Sequence, residues 1–565
     1  MIHRVGIWIA FALLILAPGI FQPSTLLIGD PRIDVWNHAW GYWFVAESIG
    51  SGQLPYQTDL VGGPDGGVLY FIDTPGALLS LPITWLFGPA LSYNLVLLFR
   101  MAMAGFAAQL LCEELSESGP HTWLAGAAYA TTPFLLCELG NGISEVCATQ
   151  WLPLTLWAAL RAIDRGRMRD WALLGLFQGL TSVATFYYGL SSALLVAALV
   201  GFHLIRRLLR DRSDGLQTLK GGALAGLCGG VLVLPHWMIF KASLADPGAL
   251  IRREGQLNLQ LMAHNAVDPR VYFTPGDFQS VDLAQVYGEP FIHTAYLRWT
   301  VLALVGFALW RGTARHRGWS LLALFSLVLG LGPYLWWGGS WVMMGEMKFS
   351  LPFEWLRQLT PELAITHPLR LSLGAQAICC ALAGVGLHAL LKSLRLEGQR
   401  IWALVAGCAL LCMGEGLFGS SASWPLPVSD ARVSDALHDA PEGMVLELPA
   451  EVGTTMETSI YFWHQTAHGR SIPYTPDVRL GSARDDQTFS TFRPPPSPDL
   501  QTATTERPSI PSGATVEHIR DTYGMIILHP DFEQRAGLSS SYVDAFTPVF
   551  GPPEDIDGMK IWRLR

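Results

Sequence analysis

Charge is what this sequence is short of. Asp, Glu, Lys and Arg make up 15% of its 565 residues, where a soluble globular protein carries about 25%. A deficit of that size over so long a chain requires extended stretches that never face water. Basic residues are the scarcer half, 37 against 46 acidic, for a formal net charge of −9. With no basic stripe to displace counterions, a nucleic-acid partner is excluded. Cysteine is missing from 241–293 and from everything beyond Cys412. The large hydrophilic segments therefore hold neither a disulfide framework nor a thiolate zinc site. All eight cysteines but Cys147 lie well inside apolar runs; Cys408 and Cys412, one helical turn apart with no histidine nearby, read as small apolar residues. Repeats of fixed period are absent, as are His-Glu-x-x-His and Gly-x-Ser-x-Gly, and there is no convincing histidine cluster. Metalloprotease and serine hydrolase readings have no support. The glycines of Gly62-Gly63-Pro64-Asp65-Gly66-Gly67 mark a turn and lack the spacing of a phosphate loop.

What the chain has in quantity is apolar and aromatic surface: 50% hydrophobic residues and 21 tryptophans, whose indoles favour the membrane–water boundary. A bilayer core of about 30 Å takes roughly 20 apolar residues per helix. Candidate spans run over 5–21, 92–111, 123–139, 151–162, 171–186, 190–205, 221–240, 296–310, 319–336, 371–391 and 401–418. The first follows Arg4 and has no small-residue cleavage site after it, so it is expected to stay as an anchor. Segment 71–89, with Asp73, Pro75, Gly76, Pro82, Gly88 and Pro89, reads as a broken or re-entrant helix. If it spans, a further crossing is needed near 336–353. The expectation is a polytopic α-helical membrane protein of roughly 11 to 13 transmembrane helices.

Orientation follows from the basic loops. Arg161, Arg165, Arg167 and Arg169 form one; Arg206, Arg207, Arg210, Arg212 and Lys220 a second; Arg311, Arg315 and Arg317 a third; Lys392, Arg395 and Arg400 a fourth. Loop 22–70 has only Arg32, and 140–150 has no basic residue. The positive-inside rule places the four basic loops in the cytoplasm and loops 22–70 and 241–294 outside. After residue 419 the apolar runs shrink to strand length at 444–448, 524–528 and 560–564, between proline clusters. Residues 1–419 are thus expected to form the membrane domain, and 420–565 a small extracytoplasmic α/β domain.

Candidate chemistry gathers on the outer side. Asp30 and Asp34 lie four apart just beyond the first span, and the helix after Asp34 puts Trp36, Trp40 and Trp43 on one face. Such a helix lies in the membrane interface with its rings at headgroup level, and holds a carboxylate where a lipid-linked substrate enters sideways. The same aspartates also suit simple turn and helix caps. Asp73 opens the broken segment, either as an N-cap or as a buried functional acid. Glu145 faces the same compartment, as a solvated loop acid or a site residue. Arg370, preceded by Thr366-His367-Pro368-Leu369, begins a late helix; its guanidinium suits a lipid phosphate or pyrophosphate, or else snorkels to the interface. His367 and His293 are further polar candidates. Arg100, inside 92–111, needs a partner such as Glu113 or Glu114, or a cavity to face.

These residues resemble the GT-C superfamily, polytopic glycosyltransferases that use lipid-phosphate-linked sugars at the outer membrane face. The resemblance rests on the acid after the first helix (Gly29-Asp30 and Asp34), the aromatic interfacial helix and Asp73-Thr74-Pro75. Within that group the chain is most similar to the bacterial YfhO-like and 6-pyruvoyl-tetrahydropterin synthase-related membrane proteins. These share Tyr187-Tyr188-Gly189, Pro368-Leu369-Arg370, Val445-Leu446-Glu447-Leu448-Pro449 and Gln465-Thr466-Ala467-His468-Gly469-Arg470. The resemblance implies transfer of a sugar from a polyprenyl-phosphate donor to a glycan, lipid or protein acceptor, in a bacterial inner membrane. It casts Asp34, or Asp30, as the base; Asp73, Glu145, His293, His367 and Arg370 are the residues of this sequence expected around the substrate. A divalent metal, Mg or Mn, would sit on Asp30 and Asp34 if anywhere, although the spacing departs from a tight Asp-x-Asp. A flippase of a lipid-linked precursor and a non-catalytic envelope assembly protein are the competing readings.

Overall fold

The computed structural model describes residues 2–250, 262, 265–275, 294–359, 365–419, 424–450, 452, 456–476, 485–489, 508–538 and 541–565. Among these, five helices are long and apolar enough to cross a membrane: Pro89–Leu115, Phe186–Arg210, Arg212–Ala245, Pro368–Leu394 and Gln399–Leu417. Ile2–Ile15 and Trp299–Arg311 are shorter apolar helices. The chain is a multi-pass membrane protein. Pro89–Leu115 and Pro368–Leu394 are mostly covered by neighbours and form the centre of the bundle, whereas Arg212–Ala245 is mostly open. Its Leu227, Val231, Leu234 and Met238 stand 58–66% exposed. An apolar stripe of that length is stable only against lipid.

Several expected spans are broken by identifiable residues. Segment 123–139 is two helices, His121–Ala130 and Pro133–Asn141, because Pro133 cannot donate into the preceding turn. The break is held by Arg298, 1% exposed, which donates to the carbonyls of Ala128 (2.5 Å), Thr131 (3.1 Å) and Cys412 (3.2 Å). Ala128 and Thr131 present the free carbonyls at the C-terminus of His121–Ala130, where a cation is favoured. Segment 71–89 is two short helices, Thr74–Leu79 and Leu81–Phe87, each with proline in its first turn. Helix Ala314–Gly330 is followed by two small hairpins over residues 336–348 instead of a further crossing.

One end of the bundle collects the basic loops. Arg4 meets Glu113 at 2.5 Å, Arg165 meets Glu114 at 2.8 Å, Arg315 meets Asp164 at 2.7 Å and Lys392 meets Glu117 at 2.9 Å. Glu113 and Glu114 therefore serve the basic loops, not Arg100 as the sequence suggested. At the other end of Pro89–Leu115, about 40 Å away by its 27 residues, Asn94 and Tyr93 bind the backbone of residues 23–28.

That far end carries the segment after the first helix and the C-terminal residues together. Leu26–Ile28 pairs antiparallel with Val428–Asp430, and Gly62 and Gly63 donate to the carbonyls of Tyr474 and Ile472. The C-terminal strands build one four-stranded sheet in the order Glu554–Ile556, Met559–Arg563, Tyr523–Leu528, Met444–Leu448. The last two run parallel, and both are buried on both faces, as parallel strands require.

Candidate functional site

Helix Val35–Gly50 carries the site. Its tryptophans are not spread at headgroup level. Trp40 is fully buried and Trp36 nearly so, because helix Ile460–His468 lies across them. Trp40 Nε1 donates to Gln465 Oε1 at 2.9 Å, and the Trp36 and Trp463 rings sit 6.3 Å apart. A segment more than 400 residues later in the chain supplies this cover. The N-terminus of the helix is fixed from below: Asp30 N–H donates to Gly140 O and Asp34 N–H to Asn141 O. Gly142 adopts φ +76°, and a Cβ there would stand 2.6 Å from Val35 Cβ. Only glycine allows the two loops to meet so closely.

The two first-loop aspartates separate clearly. Asp30 is consumed locally: it accepts from the Arg32 backbone N–H at 2.9 Å and from the Arg32 guanidinium at 3.0 and 2.8 Å. Asp34 heads the helix without capping it. Half-buried, its carboxylate makes no hydrogen bond or ion pair among the described residues. With Asp30 occupied by Arg32, Asp34 is the one of the two left for a divalent cation. That donor set is too thin for a resident ion.

His38, one turn after Asp34 on the same face, leads into a buried network. Its Nδ1 lies 3.2 Å from Ser144 Oγ and 3.2 Å from Glu145 Oε2. Ser144 Oγ donates to Asp73 at 2.5 Å, Tyr42 OH donates to the same oxygen at 2.8 Å, and Arg100 grips both Asp73 oxygens at 2.9 and 2.6 Å. Arg100 also donates to Ser144 O. Gly76 makes room, since a Cβ there would lie 2.6 Å from Arg100 NH2. Asp73, 0% exposed, is closed on every side. Tyr42, Ser144 and His38 are the members that sequence reasoning missed, and for Arg100, which it singled out, the fold alone shows which acid answers it.

Glu145 and Arg370 are held loosely by comparison. Burial lifts the Glu145 carboxyl above its ordinary range, and the nearby His38 and Arg370 only partly offset this. Its Oε2 has no hydrogen-bond partner among the described residues. The guanidinium of Arg370, a residue 6% exposed, makes no hydrogen bond there either. Its Nε approaches Glu138 Oε1 only to 3.8 Å, and its guanidinium lies 5.2 Å over the Tyr187 ring. Tyr187 OH in turn meets Thr366 Oγ1 at 2.9 Å and His367 Nδ1 at 3.3 Å. The structure thus brings Asp34, His38, Glu145, Arg370, Tyr187 and His367 along one path. His293 lies outside the described residues.

No protein-family model matches this sequence, and no curated protein does. Solved structures do. The chain aligns over 100% of its length with the arabinofuranosyltransferase AftD from Mycobacteria, at 13% identity and a TM-score of 0.53, covering 40% of that larger chain. With ArnT from Cupriavidus metallidurans bound to undecaprenyl phosphate it shares 12% identity and a TM-score of 0.50, covering 99% of this chain and 98% of that one. Apo ArnT gives 11% identity and the same TM-score and coverage. The chain therefore spans nearly all of ArnT and under half of the arabinofuranosyltransferase, and what it shares with them is the fold.

Proposed function

We propose that this protein transfers a sugar from a polyprenyl-phosphate-linked donor to a glycan, lipid or protein acceptor. The reaction takes place at the outer face of a bacterial inner membrane, on the side of the C-terminal residues. The observation that carries the proposal is the unpaired carboxylate of Asp34, at the head of a buried helix in a fold that ArnT shares from end to end. The YfhO-like kinship belongs to the same proposal. The side assignment follows from the basic loops gathered at the opposite end of the bundle.

The chemistry runs through four groups. Asp34 takes the proton of the acceptor hydroxyl with a carboxylate free of other partners among the described residues, whereas Asp30 is held in an ion pair by Arg32. The acceptor oxygen then bonds to the anomeric carbon as the bond from that carbon to the phosphate oxygen breaks. Arg370, with its donors uncommitted, receives the charge that develops on the departing polyprenyl phosphate. Glu145 and His38 set the polarity between these two ends, and His367 holds Tyr187 beneath the guanidinium. Asp73 reaches the substrate only through Ser144 and His38.

The test is release of polyprenyl phosphate from a panel of lipid-linked sugars by purified protein and by Asp34→Asn and Asp30→Asn variants of verified fold. Asp34→Asn is expected to lose about 10²–10⁴-fold in kcat, and Asp30→Asn to lose far less. Full turnover by Asp34→Asn would move the base to Glu145.

A further inference from the structure

Glu447 does not belong where it is. It occupies the fourth position of Met444–Leu448, a strand buried at every residue, and is itself 0% exposed. A charge in such a strand needs more than one partner. The fold brings two histidines to it. His464 lies on helix Ile460–His468, the helix that covers Trp36 and Trp40. His529 follows directly on Tyr523–Leu528, the parallel neighbour of the Glu447 strand, and its backbone N–H extends the ladder to Leu448 O. The cluster therefore sits at the carboxyl ends of two adjacent parallel strands, where open α/β sheets bind their ligands.

The local geometry is that of a ligand set. His464 Nδ1 and His529 Nε2 each lie 2.7 Å from the same Glu447 Oε2. One ligand atom from each of the three residues falls within 4.8 Å of the other two. The rings are locked in a stack, His529 against Tyr461 at 5.2 Å and against His464 at 5.5 Å. Glu447 Oε1 is buried and has no hydrogen-bond partner among the described residues. That oxygen is an acceptor left without a donor, which hydrogen bonding by the two imidazoles to Oε2 does not explain. His468, one turn on from His464, is not a further ligand: its Nδ1 accepts from the Arg470 N–H at 3.0 Å, which leaves the proton on Nε2.

We propose that Glu447, His464 and His529 bind one zinc-class divalent cation in the C-terminal region, with a water completing its coordination. Two imidazole nitrogens and one carboxylate are a donor set that zinc takes in preference to Mg or Ca. A tetrahedral ion needs its ligand atoms roughly 3.3 Å apart, so the two 2.7 Å nitrogen–carboxylate contacts open while the wider separations, within 4.8 Å, close. Each imidazole must then present a lone pair where it now presents a proton, so binding shifts both tautomers. The ion ties helix Ile460–His468 to the sheet, and the other face of the same helix clamps the helix that Asp34 heads. Its role is to hold that clamp, not to take part in sugar transfer.

The test uses the full chain in detergent, stripped by chelator and titrated with Zn2+ against a chromophoric competitor. Wild type and Asp34→Asn should each take up one equivalent, and His529→Gln and Glu447→Gln should bind about 100-fold more weakly or not at all. No uptake by wild type, undiminished uptake by His529→Gln, or loss of the equivalent in Asp34→Asn would each overturn the proposal. Should the Gln variants aggregate, Co2+ added to stripped wild type decides the matter. Intense visible ligand-field bands of a four-coordinate nitrogen and oxygen site are expected; only the weak bands of hydrated Co2+ would refute the assignment.

Discussion

Two buried arginines stand on either side of the Ser144–Glu145 turn, and they are treated in opposite ways. Arg100 is saturated: a two-point grip on Asp73, a bond to Ser144 O, and Tyr42 and Ser144 filling the remaining positions on the carboxylate. Arg370 is as deeply placed and nearly bare, with Glu138 at 3.8 Å and an aromatic face beneath it. Desolvating a guanidinium is costly in both cases. At Arg100 the cost is offset inside the protein, and the reward is a rigid joint between the broken segment and the helix Pro89–Leu115. At Arg370 it is not, and the shortfall is what an anionic ligand would make good. Saturation, more than burial, separates a structural charge from a binding one. The same contrast divides Asp30 from Asp34.

Breaking the closed pair should have the largest effect on stability. Asp73→Asn or Arg100→Met leaves an uncompensated charge and is expected to cost about 3–5 kcal/mol, read as a lowered midpoint in detergent thermal unfolding. The double variant should recover part of that loss. Arg370→Gln tests the open side and should behave in reverse: little change in unfolding midpoint, but a kcat for polyprenyl phosphate release lower by about 10²–10³-fold, the scale of one lost donor to a developing anion. If Arg370→Gln instead unfolds the protein while Arg100→Met does not, the contrast is the wrong way round.

A smaller effect is expected at Glu145. Burial raises its carboxyl pKa in the folded state. The stability it contributes is therefore present below its ordinary value of 4.5 and fades as pH rises through the raised folded value. Glu145→Gln cannot ionise. It should unfold at a higher temperature than wild type near neutral pH, with the difference closing as pH falls below 4.5. A gap that widens towards acid would mean that Glu145 is stabilised as the anion.

What could be read from the residues alone was whatever is local. The grouping of the basic loops at one end of the bundle, the broken character of 71–89 and the three C-terminal strands depend on composition and short-range pattern, and the structure shows each of them. The partners are non-local. Arg100 lies closer in sequence to Glu113 and Glu114 than to Asp73, and one-dimensional proximity favours the wrong acids. The histidine cluster is a similar case: residues 447, 464 and 529 have no motif spacing, and only the parallel pairing of two strands makes neighbours of them.

The tryptophans of the first outer helix show the same limit on the smallest scale. Their spacing predicts one aromatic face, and one face is what forms, but chemistry alone does not say whether lipid headgroups or protein will cover it. The bond from Trp40 Nε1 to Gln465 Oε1 decides for protein. Trp40→Phe keeps the ring and removes the donor, leaving the Gln465 oxygen buried and unpaired, for an expected loss of about 1 kcal/mol. Because Gln465 also donates to Leu60 O at 2.6 Å and to Arg470 O at 2.9 Å, the lost bond should loosen the first outer loop as well as the helix. Limited proteolysis should therefore cut Trp40→Phe faster than wild type within residues 52–70. Unchanged cleavage there would mean that the aromatic packing, without the hydrogen bond, is sufficient to hold the clamp.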